Sequence, residues 1–187
     1  MSKKKIKIGG FKTQLWHACG NDELRPVMNY AHVKDGYIYA TDAHILVKQS
    51  LRGVHVLDET QCENLEGKFF HKDLLKLLDK QEVVMFEKDG ISISSFGIEK
   101  SLIPYSECDI KFPNCDAVIP ASSQITAVDF VGITPKILAR LIKSMYKSGF
   151  GYRFTFYGKM RAILLNSGEF DRSDEIGLIM PTNTENF

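Results

Sequence analysis

The residues whose types could support catalysis are few and widely separated. Asp42 and His44 stand two positions apart, and Asp171, Asp174 and Glu175 precede the last apolar run. The sequence contains no Gly-x-Ser-x-Gly, no Walker phosphate loop and no dinucleotide-binding glycine pattern. We therefore expect a protein that is not an enzyme, in which the second acidic group serves solubility. A small-molecule enzyme on an α+β scaffold is the weaker alternative.

The cysteines do not predict a metal site. Cys19, Cys62, Cys108 and Cys115 include no pair with the two to four intervening residues typical of structural zinc sites. His17 and Cys19 form a His-x-Cys pair, but two ligands do not complete such a site. We expect no metal and no other cofactor, with the thiols free in a reducing cytoplasm.

The composition is that of an ordinary globular protein. The 187 residues are 44% hydrophobic and 25% charged, and 24 basic and 23 acidic residues leave a net charge of +1. That total neither indicates nor excludes a nucleic-acid partner, so the distribution of charge matters more. No apolar run approaches the roughly 18 residues of a membrane span, and no apolar signal core follows the basic start. We expect a cytoplasmic protein with no membrane partner.

Two predicted helices each carry basic residues along one stripe. Spacings of i, i+4, i+7 and i+11 bring side chains to the same side of an α-helix. The residues are Lys72, Lys76 and Lys80 in one helix and Lys136, Arg140, Lys143 and Lys147 in the other. A single stripe is equally well a solvated helix face, but its recurrence favours a surface for a polyanion. Contacts from such a surface to DNA phosphates are independent of base sequence and sensitive to salt.

The helices that carry these stripes belong to a repeated pattern. Three segments share the order of one strand, one helix and about three strands. The units run over residues 6–51, 69–105 and 127–180, and their helices over residues 11–19, 71–80 and 136–147. Strands are predicted over 27–33, 91–95, 99–105 and 127–132, and a loop over 52–67. The fold class is therefore α+β, with helices on one face of antiparallel sheets.

The repeats also suggest a domain organisation. Each unit has one apolar helix face and one apolar sheet face, so it must pack against another unit to bury both. We expect a domain of two units over 1–110, an extended proline-marked connector over 111–126, and a third unit over 127–187. The third unit could pack on the first two within one chain or pair with a second copy.

Three segments resemble one protein family. Residues 40–46 read Ala-Thr-Asp-Ala-His-Ile-Leu and resemble the Ala-Thr-Asp-Gly-His-Arg-Leu signature of the bacterial DNA polymerase III β subunit, the sliding clamp. Residues 112–120 resemble the clamp connector Phe-Pro-Asp-Tyr-x-x-Val-Ile-Pro, and residues 177–181 resemble the clamp terminus Tyr-x-x-Met-Pro-x-Arg-Leu. Ala43, Ile45 and the missing final Arg-Leu depart from these patterns.

The resemblance implies a DNA-clamp-like fold and a binding role. Family members surround duplex DNA with helices, and a groove between their last two domains binds short hydrophobic peptides of polymerases and repair proteins. Carried over by matching motifs, the groove residues are Thr41, Ala43, His44, Leu46, Val118, Pro120, Ile179, Met180 and Pro181. Twelve units close a family ring, so a homo-oligomer of four chains is conceivable by arithmetic. The alternative is a shortened relative that binds only peptides, as an adaptor or competitor without DNA binding.

Overall fold

The computed structural model describes residues 8–94 and 100–183, and these residues contain three α-helices and eleven strands. The helices are α1 Glu59–Leu65, α2 Lys72–Asp79 and α3 Pro135–Ser144. The strands are β1 Ile8–Gly9, β2 Tyr30–Lys34, β3 Tyr37–Thr41, β4 Ile45–Ser50, β5 Phe69–His71, β6 Val83–Glu87, β7 Gly90–Ser94, β8 Ser101–Ile103, β9 Tyr152–Thr155, β10 Ile163–Ser167 and β11 Glu175–Ile179. One sheet has the order β1-β6-β7-β8, and the other has the order β5-β2-β3-β4-β11-β10-β9.

The first two units exchange their first strands. β1 of the first unit joins the sheet of the second unit, where it lies parallel to β6. β5 of the second unit joins the sheet of the first, where it lies antiparallel to β2. Each unit has three consecutive strands, β2–β4 in the first and β6–β8 in the second. In both sheets the exchanged strand pairs with the outer edge of the first of these three strands. The exchange gives the two units one common core.

The third unit continues the sheet of the first. β11 pairs antiparallel with β4, with Gly177 opposite Val47 and Leu178 opposite Leu46. Helix α3 covers this junction and approaches it closely, since a Cβ atom on Gly177 would lie 2.5 Å from the sulfur of Met145. A larger residue at 177 would require the Met145 side chain to move. The third unit therefore packs on the first within the same chain.

The core lies between the helices and the sheets. Phe11 contacts both Phe70 and Phe86, with ring centroids 5.1 Å and 4.9 Å apart, and all three rings are buried. Leu141 and Met145, in and just after α3, are fully buried in the same cluster. Burying side chains of this size stabilises the fold by about 1.5–3 kcal/mol each.

Several predicted elements are wrong in detail. The helix predicted over 11–19 is a single 3₁₀ turn, Leu15–His17, although the apolar residues that suggested it are buried. The loop predicted over 52–67 contains α1, which is capped by the side chain of Asp58 accepting a hydrogen bond from Gln61 N at 2.8 Å. The short helix was missed because its sequence is mostly polar.

Other predicted boundaries differ from the structure. Residues 26–29 form a 3₁₀ turn before β2 instead of the start of a strand. Residues 127–132 form no strand, and the β-bridge that they contain is an isolated one between Gly132 and Thr182. The predicted strand ends at residues 6–7, 95 and 99 lie outside the described residues. Among residues 8–94 and 100–183, no helix has the length and apolarity needed to cross a membrane.

Candidate functional site

The turn between β3 and β4 is built by two polar side chains. The Thr41 hydroxyl donates to the carbonyl oxygen of Ile45 at 2.7 Å. Asp42 Oδ1 accepts from the backbone N–H groups of His44 and Ile45 at 2.9 and 3.0 Å. Between them Ala43 has a φ of +73°, a left-handed conformation that favours glycine. The turn presents Ala43 and His44 at the surface of the sheet.

Arg140 of α3 fixes this turn to the rest of the molecule. Its Nη1 donates to Asp42 Oδ2 at 2.7 Å. Its other guanidinium nitrogens donate to the carbonyl oxygens of His17, at 3.0–3.1 Å, and Cys19, at 3.3 Å. The Asp42 carboxylate is buried and Arg140 is one-third exposed, so this ion pair is shielded from most of the solvent. Arg140, predicted as a DNA contact, is thus engaged in holding α3 to the turn and to the 3₁₀ turn 15–17.

Beside the turn lies an apolar groove of about 240 Å³. Three distant segments supply most of it: the β3–β4 turn, the connector and the end of β11. The predicted residues that line it are Thr41, Ala43, His44, Leu46, Val118 and Met180, and the residues that the prediction missed are Met28, Ile45, Pro113, Asn114, Cys115, Ala162 and Leu178. Most of the missed residues lie within the three segments that resemble the clamp family. Nothing in the sequence pointed to Met28 or Ala162.

Three predicted groove residues lie elsewhere. Ile179 is fully buried in the core on the other side of β11. Pro120 and Pro181 are partly buried but do not line the groove. Successive side chains of a strand point to opposite faces, so Leu178 and Met180 face the groove while Ile179 faces the core.

The connector is held against the sheet by a polar cluster. Lys48 Nζ lies 2.8 Å from Asp116 Oδ1 and 4.4 Å from the ring centre of Tyr37. The Tyr39 hydroxyl donates to Asp116 Oδ2 at 3.1 Å. Burial raises the pKa of Tyr39 to about 12, so this hydroxyl keeps its proton. These contacts place the connector residue Val118 at the groove.

Some basic residues of α2 and α3 approach the 3₁₀ turn 15–17: Lys72, Lys76 and Arg140 line a cleft together with Trp16 and His17. The pKa of His17 is lowered, first by burial and then by the positive charges of Lys143 and Arg140. Lys76 of α2 acts on His17 in the same direction. We call the basic residues of the two predicted stripes the basic face; of these, Lys72, Lys76 and Arg140 line one cleft.

The lysines of this face differ in their contacts with the rest of the chain and in their exposure. Lys72 donates to Gly20 O at 3.3 Å and to the side chain of Asn21, and Lys76 lies 3.1 Å from Asp73. The last of these contacts is an ion pair that was not predicted. The exposed lysines of the predicted stripes are Lys76, Lys80, Lys136, Lys143 and Lys147. Two of them stand beyond the helices, since α2 ends at Asp79 and α3 ends at Ser144.

An open cleft of about 760 Å³ connects the basic face with the groove. Its charged lining residues are both basic and acidic: Arg25, Lys72, Lys76, Arg140, Asp22, Asp42 and Asp73. Met28 and His44 line both the cleft and the groove. A ligand in the apolar groove and a polyanion on the basic face would therefore meet at these two side chains.

No family model matches the sequence, and no curated protein matches it. Among solved structures, the sliding clamp of Bacillus subtilis is 14% identical, with a TM-score of 0.59 over 91% of this chain and 61% of the clamp. The clamp of Bartonella birtlesii, solved with griselimycin bound, is 15% identical, with a TM-score of 0.57 over 92% of this chain and 62% of the clamp. The chain has the fold of the bacterial sliding clamps.

A third match supports the same fold. The DNA polymerase III β subunit of Thermotoga maritima is 12% identical, with a TM-score of 0.56 over 97% of this chain and 68% of that protein. The clamp-like α+β fold class predicted from the sequence is thereby confirmed. The chain spans about three-fifths of the length of the first two clamps. In the described part of the chain, no group of three His, Cys, Asp or Glu side chains could hold a metal ion.

Proposed function

We propose that the protein is a non-catalytic clamp-like factor that tethers partner proteins through its apolar groove and binds duplex DNA through its basic face. The observation that carries the proposal is the groove. Three segments far apart in sequence converge on it, and these are the segments whose motifs resemble the clamp family. Further support comes from the adjoining cleft, which Lys72, Lys76 and Arg140 line together with the groove residues Met28 and His44.

The groove suits a short peptide with large apolar side chains. Met28 and Met180 both line it, and methionine side chains adapt to differently shaped ligands. Met180 is 45% exposed, which leaves it free to contact a ligand. The connector residue Val118 provides a further apolar wall. We therefore assign to the groove a peptide of a replication or repair protein.

The basic face suits the phosphate backbone. Lys136, Lys143 and Lys147 are exposed on or next to α3, and Lys76 is exposed on α2. The face has no aromatic platform alternating with its lysines along α2 and α3, so contacts to phosphates are favoured over stacking on single-stranded bases. Binding of this kind is independent of base sequence and weakens steeply as salt rises.

The groove is tested with griselimycin, which is bound in the B. birtlesii clamp. We expect calorimetry to detect binding to this protein and Met180→Asp to weaken it at least about tenfold, because the new carboxylate would be desolvated in an apolar site. Met85→Asp is the matched control, since Met85 is 38% exposed on β6 and lies outside the groove. Equal affinity of the two variants would overturn the assignment of the groove.

The basic face is tested with two fluorescent duplexes of unrelated sequence. We expect equal affinity for both. The combined Lys76→Glu and Lys143→Glu change should lower the slope of log affinity against log salt concentration by about the value expected for two phosphate contacts. Lys88→Glu and Lys111→Glu are controls, because these lysines lie outside the two helices. If the Lys76→Glu and Lys143→Glu variant binds DNA as the wild-type protein does, the basic face is not the DNA-binding surface.

One observation favours a second candidate function. Lys72, Lys76 and Arg140 make polar or ionic contacts within the chain, which reduces the charge available to DNA. A peptide-binding adaptor that does not bind DNA would show the Met180 effect and no affinity for either duplex. The two experiments together therefore distinguish a clamp-like factor from an adaptor.

A further inference from the structure

The face of the seven-stranded sheet that points away from the helices carries an open hollow of about 490 Å³. Ala31 and Phe70 are completely buried in the core cluster that also contains residues of α2 and α3. Because successive side chains of a strand point to opposite faces, His32 and Phe69 lie on the other face, directly opposite each other in the register of β2 and β5. We call this surface the connector hollow, and its side chains include His32, Lys34, Phe69, Lys111, Phe112 and Asn114.

The connector supplies one side of the hollow and is held firmly against the sheet. Phe112 is buried, and its ring centre lies 5.2 Å from that of His32 and 6.3 Å from that of Phe69. Four positions further along, Asp116 Oδ1 lies 2.8 Å from Lys48 Nζ. The hollow is therefore formed by contacts within the chain, which reduces the cost of ordering it around a ligand.

The hollow offers flat ring surfaces. The imidazole of His32 and the ring of Phe69 are stacked, with centres 4.3 Å apart and planes inclined by 25°, and both side chains are partly exposed. Burial lowers the pKa of His32 from its ordinary value, so the imidazole is uncharged at neutral pH. A planar heterocycle can pack against rings of this kind, since every nucleobase has a flat face.

The charges around the hollow are positive. Lys34 follows His32 by two positions on β2 and so lies on the same face, and Lys111 comes from the connector. Both lysines are exposed, and no described residue that lines the hollow is acidic. Lys34 Nζ lies 3.6 Å from the exposed carboxylate of Asp35, a pair that contributes little in water. Two ammonium groups are thus available to an anion.

Rings and lysines together define the class of ligand. An inorganic polyanion would leave the rings unused, and an apolar peptide would leave both lysines without a counter-charge. A nucleotide matches the two features, because it joins a flat base to a phosphate. Asn114 adds an amide that can donate to and accept from the edge of a base. The volume of the hollow lies within the range of about 300–1,000 Å³ that small-molecule sites occupy.

We propose that the connector hollow binds a nucleoside phosphate. The base packs against His32 and Phe69, and the phosphates lie between Lys34 and Lys111. This site is distinct from the basic face, which α2 and α3 carry on the other side of the sheet. It borders the peptide groove, since Pro113 and Asn114 line both.

The test is calorimetric titration of the full chain with dATP, with deoxyadenosine and with inorganic triphosphate. We expect dATP to bind at least about tenfold more tightly than either fragment, because only the whole nucleotide contacts the rings and both lysines. Equal affinities for dATP and inorganic triphosphate would overturn the proposal, since the rings would then contribute nothing. A single-stranded oligonucleotide that binds where dATP does not would overturn it as well.

Variants of exposed lysines keep the test independent of misfolding. Lys34→Gln with Lys111→Gln should weaken dATP binding at least about tenfold, whereas Lys12→Gln with Lys88→Gln should not change it, because these two exposed lysines lie outside the hollow. Phe69→Leu keeps most of the apolar volume but removes the ring, and it should also weaken binding about tenfold. Thermal unfolding reports whether each variant is intact. Unchanged affinity in the Lys34 and Lys111 variant would overturn the proposal.

Nuclear magnetic resonance shows where the nucleotide binds. Adding dATP should shift the signals of the His32 ring protons and of the backbone amides of residues 111, 112 and 114. Leu178 and Met180 line the groove and not the hollow. Shifts at these two residues without a shift at His32 would place dATP in the groove and overturn the assignment, and shifts confined to α2 and α3 would do the same.

Discussion

At the scale of single residues, Ala43 is the most informative departure from the clamp signature. The turn keeps a φ of +73° although a methyl group replaces the hydrogen of glycine. A left-handed residue with a Cβ atom costs about 1–2 kcal/mol, and the greater freedom of glycine in the unfolded chain offsets part of that. Ala43→Gly should therefore stabilise the protein by about 0.5–1 kcal/mol in urea unfolding.

A matched alanine makes that measurement specific. Ala139 is exposed in the middle of α3, where the backbone is helical. Ala139→Gly should destabilise the protein by about 1 kcal/mol. Opposite signs at the two positions are the expected result. A destabilising Ala43→Gly would mean that the left-handed conformation at position 43 costs less than the added freedom of the unfolded chain.

At the scale of elements, Arg140 connects α3 with two turns of the first unit. Arg140→Gln removes the ionic bond to Asp42 and the fork that holds the carbonyl oxygens of His17 and Cys19. We expect a loss of about 2 kcal/mol in the free energy of unfolding, less than for a fully buried pair because Arg140 is partly exposed. Lys143→Gln on the same helix should change stability by less than about 0.5 kcal/mol.

A double-mutant cycle shows whether the pair itself is responsible. Asp42→Asn with Arg140→Gln should cost clearly less than the sum of the two single changes, since each removes the same ionic bond. Strict additivity would place the effect of Arg140 in its carbonyl contacts alone. Weaker griselimycin binding in Arg140→Gln would further indicate that α3 holds the groove turn in position.

At the scale of the whole molecule, Glu175 lies at the junction between the first and third units. Its Oε1 accepts from Gln49 Nε2 at 2.6 Å and from Tyr146 N at 2.7 Å, and the side chain is almost completely buried. Burial raises the pKa of this carboxyl, although both hydrogen bonds oppose the shift. An acid whose folded-state pKa is raised stabilises the fold at low pH and loses that contribution as pH rises through the folded value.

The substitution Glu175→Gln separates charge from hydrogen bonding. The amide oxygen can still accept from Gln49 and Tyr146, but no buried carboxylate forms at high pH. The difference in unfolding free energy between variant and wild type should therefore shift in favour of the variant as pH rises from about 5 to about 9. Glu175→Ala leaves Tyr146 N without this acceptor, whereas Gln49 Nε2 keeps its bond to Ser144 O at 3.3 Å, and should cost about 2–4 kcal/mol at pH about 5 and less as pH rises. Parallel pH curves for the Glu175→Gln variant and the wild-type protein would contradict a raised pKa.

Local chemistry in the sequence determined much of this protein. Apolar periodicity located α2 and α3, and three residues of their predicted basic stripes, Lys72, Lys76 and Arg140, line one cleft. Thr and Asp are typical turn residues, and in the turn after β3 Asp42 accepts a hydrogen bond from His44 N. These features were readable because the contacts that produce them join residues within four or five positions along the chain.

Tertiary structure decided the rest. The pairing of β4 with β11 brings Gln49 to Glu175, 126 positions away, and Arg140 to Asp42, 98 positions away. No local pattern distinguishes an arginine that will face solvent from one that will meet a buried carboxylate. Phe11, Leu15 and Ala18 show the same limit, since their spacing is that of a helix and all three are buried, yet this segment contains only the 3₁₀ turn 15–17. The spacing of apolar residues indicates which side chains are buried. The path of the backbone also depends on which distant groups its N–H and C=O groups can hydrogen-bond to.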